Sequence, residues 1–169
     1  MHRHVARRGV AAITLLSALA LPSATMAATL DGTDGNDVLR GTDHADTIHG
    51  LAGADVISGK AGADWLYGNR GADTIYGNDG PDHLSGGSGP DLLRGGAGAD
   101  VIYGGSGRDR IRGGGGTDTI FGGPGDDVIA VGYDNAADQV SCGDGLDKVY
   151  AGSNDVIGAS CETVVIVDR

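Results

Sequence analysis

Gly86-Gly87-Ser88-Gly89-Pro90-Asp91-Leu92-Leu93-Arg94 is followed at once by Gly95-Gly96-Ala97-Gly98-Ala99-Asp100-Val101-Ile102-Tyr103. The two nonapeptides share glycine at places one, two and four, aspartate at place six and an aliphatic residue at place eight. Extended in both directions, the same frame runs without a slip over residues 32–130, eleven copies in all. Place six holds Asp37, Asp46, Asp55, Asp64, Asp73, Asp82, Asp91, Asp100, Asp109, Asp118 and Asp127. Place eight holds Leu39, Ile48, Ile57, Leu66, Ile75, Leu84, Leu93, Ile102, Ile111, Ile120 and Ile129. Glycine opens every copy, and a glycine fills place four in all but one, where His44 stands instead.

Self-similarity at a short fixed period is the signature of a stacked repeat architecture. Places one to six are turn residues, rich in glycine, asparagine, aspartate and serine. Places seven to nine alternate outward, inward, outward, which supports a strand of three residues. The glycine density excludes a helix. One unit supplies a turn and a strand, so two units complete a coil with strands on opposite faces. The inward aliphatics of both faces then meet in a thin core. The expected fold is all-β, a parallel β-roll or β-solenoid. A carboxylate at fixed pitch, framed by glycine backbone, makes a row of oxygen cages. Such cages suit calcium, which accepts six to eight oxygens in loose geometry, better than magnesium, which keeps its waters.

The chain has 169 residues, 33 of them glycine, with 12 basic and 23 acidic residues. Residues 1–28 read as a secretory signal peptide. Arg3, Arg7 and Arg8 precede an apolar run over 10–21, and small residues follow up to Ala27 and Ala28. The run is short for a bilayer span, and the surroundings of Arg7-Arg8 fit twin-arginine export weakly. Export to the extracellular space is expected, with no membrane insertion. Without that segment the balance is nine basic against 23 acidic residues, a charge of −14. A polyanion of this kind avoids nucleic acid. With little apolar surface and so much glycine, the repeat needs its aspartates neutralised to hold a fold, and a bound cation would supply that energy to folding.

The unit resembles the Gly-Gly-x-Gly-x-Asp-x-U-x nonapeptide of the repeats-in-toxin family, and the resemblance covers 99 residues. It implies a calcium-loaded parallel β-roll. In that family each ion lies between neighbouring turns, held by place-six carboxylates of units i and i+2 and by carbonyls of the glycine turns. For this chain the resemblance implies Asp37 with Asp55, Asp46 with Asp64, and onward to Asp109 with Asp127, up to nine ions. Affinities of about 10⁻⁴–10⁻³ M, as in extracellular modules, are expected. Thr33, Thr42, Leu51, Lys60, Asn69 and Asn78 replace the second glycine, which points to weaker N-terminal cages. His44, beside Asp43 and Asp46, reads as a tolerated turn substitution rather than a zinc or nickel ligand.

Three regions are expected: the signal over 1–28, the repeat β-roll over 29–130, and a cap over 131–169. The cap opens with an insertion over 131–141 and continues with a degenerate copy over 142–150, in which Asp147 is a lesser ligand candidate. Its two cysteines, Cys142 and Cys161, read as a disulfide in an exported chain, with free thiols or a metal pair as alternatives. A strand over 161–167 would close the solenoid end.

Alternate units share a face. One face presents Thr47/His49, Trp65/Tyr67, His83/Ser85, Val101/Tyr103 and Thr119/Phe121. Either its aromatics simply favour strands, or they form a surface for a cell-surface glycan or protein. The other face presents Val38/Arg40, Val56/Ser58, Thr74/Tyr76, Leu92/Arg94, Arg110/Arg112 and Val128/Ala130. No nucleophile elbow, zincin helix or phosphate loop occurs, so the chain is not expected to be an enzyme. The leading reading is a secreted calcium-binding structural or interaction module. A calcium-dependent ice-binding or adhesive solenoid and an enzyme with an unrecognised site are the rivals.

Overall fold

A computed structural model describes residues 26–132 and 134–167. The expected signal segment lies, up to residue 25, outside the described residues. The strands are β1 (Thr29–Asp31), β2 (Val38–Arg40), β3 (Thr47–His49), β4 (Val56–Ala61), β5 (Trp65–Arg70), β6 (Thr74–Asp79), β7 (His83–Ser88) and β8 (Leu92–Ala97). Then come β9 (Val101–Ser106), β10 (Arg110–Gly115), β11 (Thr119–Phe121), β12 (Val128–Ala130), β13 (Gln139–Ser141), β14 (Lys148–Ala151), β15 (Val156–Ile157) and β16 (Thr163–Ile166). Odd-numbered strands form one eight-stranded sheet and even-numbered strands the other. Every pairing is parallel, and no helix occurs among the described residues, so none there is long and apolar enough to cross a membrane. This is a parallel β-solenoid of about eight turns, as the spacing predicts.

Register follows from the repeat. Thr47 pairs with Trp65 and Trp65 with His83; Val56 pairs with Thr74 and Thr74 with Leu92. Each coil is therefore two nonapeptides. The place-eight residues fill the interior in two facing columns, and Ile48, Ile57, Leu66, Ile75, Leu93, Ile102, Ile120 and Ile129 are wholly buried. One large apolar side chain per nine residues is a thin core, so backbone pairing between coils carries much of the order.

The strands from β4 to β10 run for six residues, twice the expected length. They continue from place nine through places one to three of the next unit, where Lys60 pairs with Asn78 and Ala61 with Asp79. The bend is made inside the strand by place two, which takes a left-handed conformation. Lys60 has φ 87° and Asn78 φ 81°, where later units have glycine. Stacked turns thus bond coil to coil, as in Gly62 N–H to the Asp79 carbonyl at 2.9 Å.

The sheets continue through the C-terminal region. β13 joins β11, and β14 and β16 extend the other sheet. Cys142 and Cys161 form a disulfide with Cα atoms 5.2 Å apart. It ties the turn before β14 to the turn before β16.

Candidate metal centre

Each place-six aspartate sits where the turn enters the next strand and points inward. All eleven from Asp37 to Asp127 are at most 3 % exposed. From Asp55 onward each side chain is gripped from the adjacent coil. The N–H of Asp37 donates to Oδ1 of Asp55 at 2.8 Å and that of Asp46 to Asp64 at 2.7 Å. The pattern runs at 2.7–3.0 Å through Asp55, Asp64, Asp73, Asp82, Asp91 and Asp100 to Asp109, which donates to Asp127. All nine i/i+2 aspartate pairs implied by the repeat are brought together, each linked through a backbone amide.

The second oxygen is different. Oδ2 of Asp55, Asp64, Asp73, Asp82, Asp91, Asp100, Asp109, Asp118 and Asp127, and of Asp147 in the degenerate copy, is buried without a hydrogen-bond partner. An ionised oxygen buried in this way is strongly unfavourable unless a positive charge faces it. What borders it is backbone. A Cβ built on Gly104 would stand 2.6 Å from Asp109 Oδ2 and 2.5 Å from the carbonyl oxygen of Gly122, the opening glycine two units on. On Gly122 it would meet Asp127 Oδ2 at 2.6 Å and the carbonyl of Cys142. The opening glycine thus lets a carboxylate oxygen and a carbonyl oxygen come together more closely than any side chain at that place would allow.

Burial dominates the electrostatics. Desolvation pushes Asp82, Asp91 and Asp118 up to about 7, and Asp55, Asp100 and Asp127 up to about 6, only partly offset by the amide bonds. For Asp82 the neighbours Asp100 and Asp64 add repulsion, and for Asp91 the neighbours Asp109 and Asp73 do so. Asp64, Asp73 and Asp109 are raised by the same burial. These rows are therefore starved of positive charge.

The two ends of the ladder depart from this pattern. Asp37 Oδ2 accepts from the Thr33 amide at 2.6 Å and hydroxyl at 2.8 Å, and Thr42 does the same for Asp46. In these two turns Gly35 and His44 have no left-handed φ, so His44 is accommodated without strain. No cluster of three or more His, Cys, Asp or Glu side chains forms among the described residues.

At the other end the ladder runs on through Asp147 of the degenerate copy and through Asp138, Asp155 and Glu162, which the frame did not assign. The N–H groups of Asp118, Asp127, Asp138 and Asp147 donate to Asp138, Asp147, Asp155 and Glu162 respectively. A two-residue expansion of the turn over 131–141 delivers Asp138 to the ladder. Asp138-Gln139-Val140, Asp155-Val156-Ile157 and Glu162-Thr163-Val164 all keep the acid-x-aliphatic pattern. A search for that triplet with variable turn length would have found them. Here the opening glycine is replaced by Val131, Cys142 and Ala151, each at most 1 % exposed and packed into the core. Asp147 Oδ2 nonetheless stays buried without a partner, as in the regular units.

The RTX calcium-binding nonapeptide repeat, in its four-copy form, matches residues 27–57, 49–84, 58–93, 76–111 and 94–129. The chain belongs to that family. No curated protein matches it. Members of the family bind calcium through these repeats, and the donors gathered here fit such an ion. They are carboxylate and carbonyl oxygens, with no nitrogen or sulfur among them, which suits a hard cation and not zinc or copper. Because acidic side chains do not converge in threes, backbone carbonyls have to complete each cage. The RTX repeat of this chain is thus a calcium-binding module whose donor rows lie along the two turn edges of the solenoid.

Proposed function

We propose that the chain is an exported, extracellular calcium-binding β-roll, acting as a structural or interaction module whose repeats fold on binding the ion. The observation that carries this reading is the row of buried, partnerless Oδ2 atoms from Asp55 to Asp127, each beside an opening glycine. Bound Ca²⁺ would supply the positive charge that offsets their burial and mutual repulsion. The ligands would be Asp55, Asp64, Asp73, Asp82, Asp91, Asp100, Asp109, Asp118 and Asp127 with first-place carbonyls, while Asp37 and Asp46 share their oxygens with Thr33 and Thr42. An empty chain then disfavours the fold at neutral pH, which suits folding after export into millimolar calcium. Export is supported by the basic, apolar and small-residue order of 1–28 and by the Cys142–Cys161 disulfide.

Calcium titration followed by circular dichroism and calorimetry tests this proposal. Ordering should appear with the ion and disappear in chelator. The same ordered β signal in both conditions would sink it. Within the same reading, no catalytic role is assigned. Exposed Trp65, Tyr103 and Phe121 leave the aromatic face available for a protein partner.

A further inference from the structure

The even-numbered sheet separates charge sharply. Its outward places seven and nine carry Arg40, Arg94, Arg110, Arg112 and Lys148 and no carboxylate, from Val38 on β2 to Val165 on β16. In a chain with a net charge of −11 this face alone is cationic. Arg94 and Arg112 are in register on adjacent strands, and Arg110 stands two places before Arg112. Arg94, Arg110 and Arg112, with Leu92 and Val128, line a shallow groove. None of the three has an ion-pair partner; the one ion pair among the described residues is Arg108 with Asp126, on a turn. Tyr76 and Tyr150 flank the patch, their rings covered by Arg94 at 5.6 Å and Lys148 at 4.9 Å.

We infer that this groove binds a linear anionic polysaccharide, and that calcium loading permits it. The inference rests on the calcium reading above. Charge complementarity selects the ligand's sign, and spacing selects its class. The in-register pair Arg94 and Arg112 stands one strand spacing apart, about 4.8 Å, a separation met by one carboxylate or sulfate per sugar. Duplex DNA presents a charge every 1.7 Å or so, a row far denser than the arginines of this groove. Single-stranded nucleic acid needs open aromatic faces for its bases, and here Arg94 and Lys148 cover them. The metal-free chain repels polyanions as a whole. Each bound divalent ion adds two positive charges, so a partly filled ladder cancels the net −11 and leaves the arginine face dominant.

The test measures binding of short polygalacturonate oligomers to the full chain by calorimetry, in millimolar calcium and in chelator, with circular dichroism on the same samples. Neutral dextran, a dT oligonucleotide and sedimentation of the chain alone are the controls. The expected result is calcium-dependent, salt-sensitive binding that falls about tenfold or more in Arg94→Gln/Arg110→Gln/Arg112→Gln, with the calcium-induced ordering kept. Trp65→Ala should bind as the wild type does. Equal binding by the triple variant overturns the inference, and so does equal binding of dextran. Tighter binding of the oligonucleotide, or self-association abolished by the triple substitution, also overturns it by giving the face to another occupant. Absence of calcium-induced ordering refutes the calcium reading instead. Arginine-dependent polysaccharide binding in that event would still support the face.

Discussion

Gly104→Ala separates a glycine kept for its backbone from one kept because two oxygens crowd its Cα. Gly104 has no left-handed φ, so alanine fits its backbone without strain. Its Cβ would lie 2.5 Å from the Gly122 carbonyl oxygen, 2.6 Å from Asp109 Oδ2 and 3.0 Å from Ile111 Cδ1. Overpacking of this kind costs about 1–3 kcal/mol. Losing one ion of roughly 10⁻⁴–10⁻³ M affinity at ten-millimolar calcium removes about a further 1.4–2.7 kcal/mol. The sum, about 2–6 kcal/mol, corresponds to a fall in melting temperature of about 4–24 °C for a chain of this size. Gly115→Ala is the control, because its Cβ would meet only Asp134 Oδ2, at 3.5 Å, and its φ is ordinary. Calorimetry counts the ions, and thermal melts in calcium read the stability. Gly104→Ala should lose at least one ion and Gly115→Ala none. If Gly104→Ala keeps the wild-type stoichiometry and melting point, the pairing of Asp109 Oδ2 with the Gly122 carbonyl is not where a cation acts.

Three further outcomes follow from the geometry. First, the metal-free fold should weaken as pH rises. Carboxyls raised from 3.8 to about 6–7 stabilise the fold fully below their ordinary value and lose that contribution as pH climbs through 6–7. In chelator, circular dichroism should therefore show more β order in mild acid than at neutrality, and the reverse trend would contradict the burial argument. Second, Lys60→Gly should stabilise the calcium-loaded protein by about 1 kcal/mol, because Lys60 is held at φ 87°; an unchanged or lower denaturant midpoint would count against strain there. Third, Cys142→Ser/Cys161→Ser opens a loop of 19 residues and should cost about 3 kcal/mol. Denaturant titration reads that cost, and an unchanged midpoint would refute it.

Much of the fold was legible because each unit carries the whole instruction. Asp-x-aliphatic after a glycine turn specifies which residue goes inward, and an unbroken nine-residue frame makes every coil repeat the choice. The two-unit coil, the pairing of alternate units and the sorting of His49, Tyr67, Tyr103 and Phe121 to one face and Arg94 and Arg112 to the other all follow from that period. Strand length was not legible. Places one to three look like turn residues, and only stacking of one turn on the next supplies the partners that make them strand.

The sequence by itself determined the family, the solenoid and the positions at which carboxylates enter the interior, because those rest on local periodicity. Tertiary structure decided where the open oxygen row begins and ends. Thr33 and Thr42 satisfy Asp37 and Asp46 within their own turns, a contact set by side-chain placement across four residues. Asp147 carries the row past the regular frame, and Asp138 joins the ladder only because the coil above it fixes where a longer turn must re-enter the sheet. A repeat specifies its own interior, but its two ends lack a neighbour on one side, so their chemistry depends on which side chains the last coils bring together.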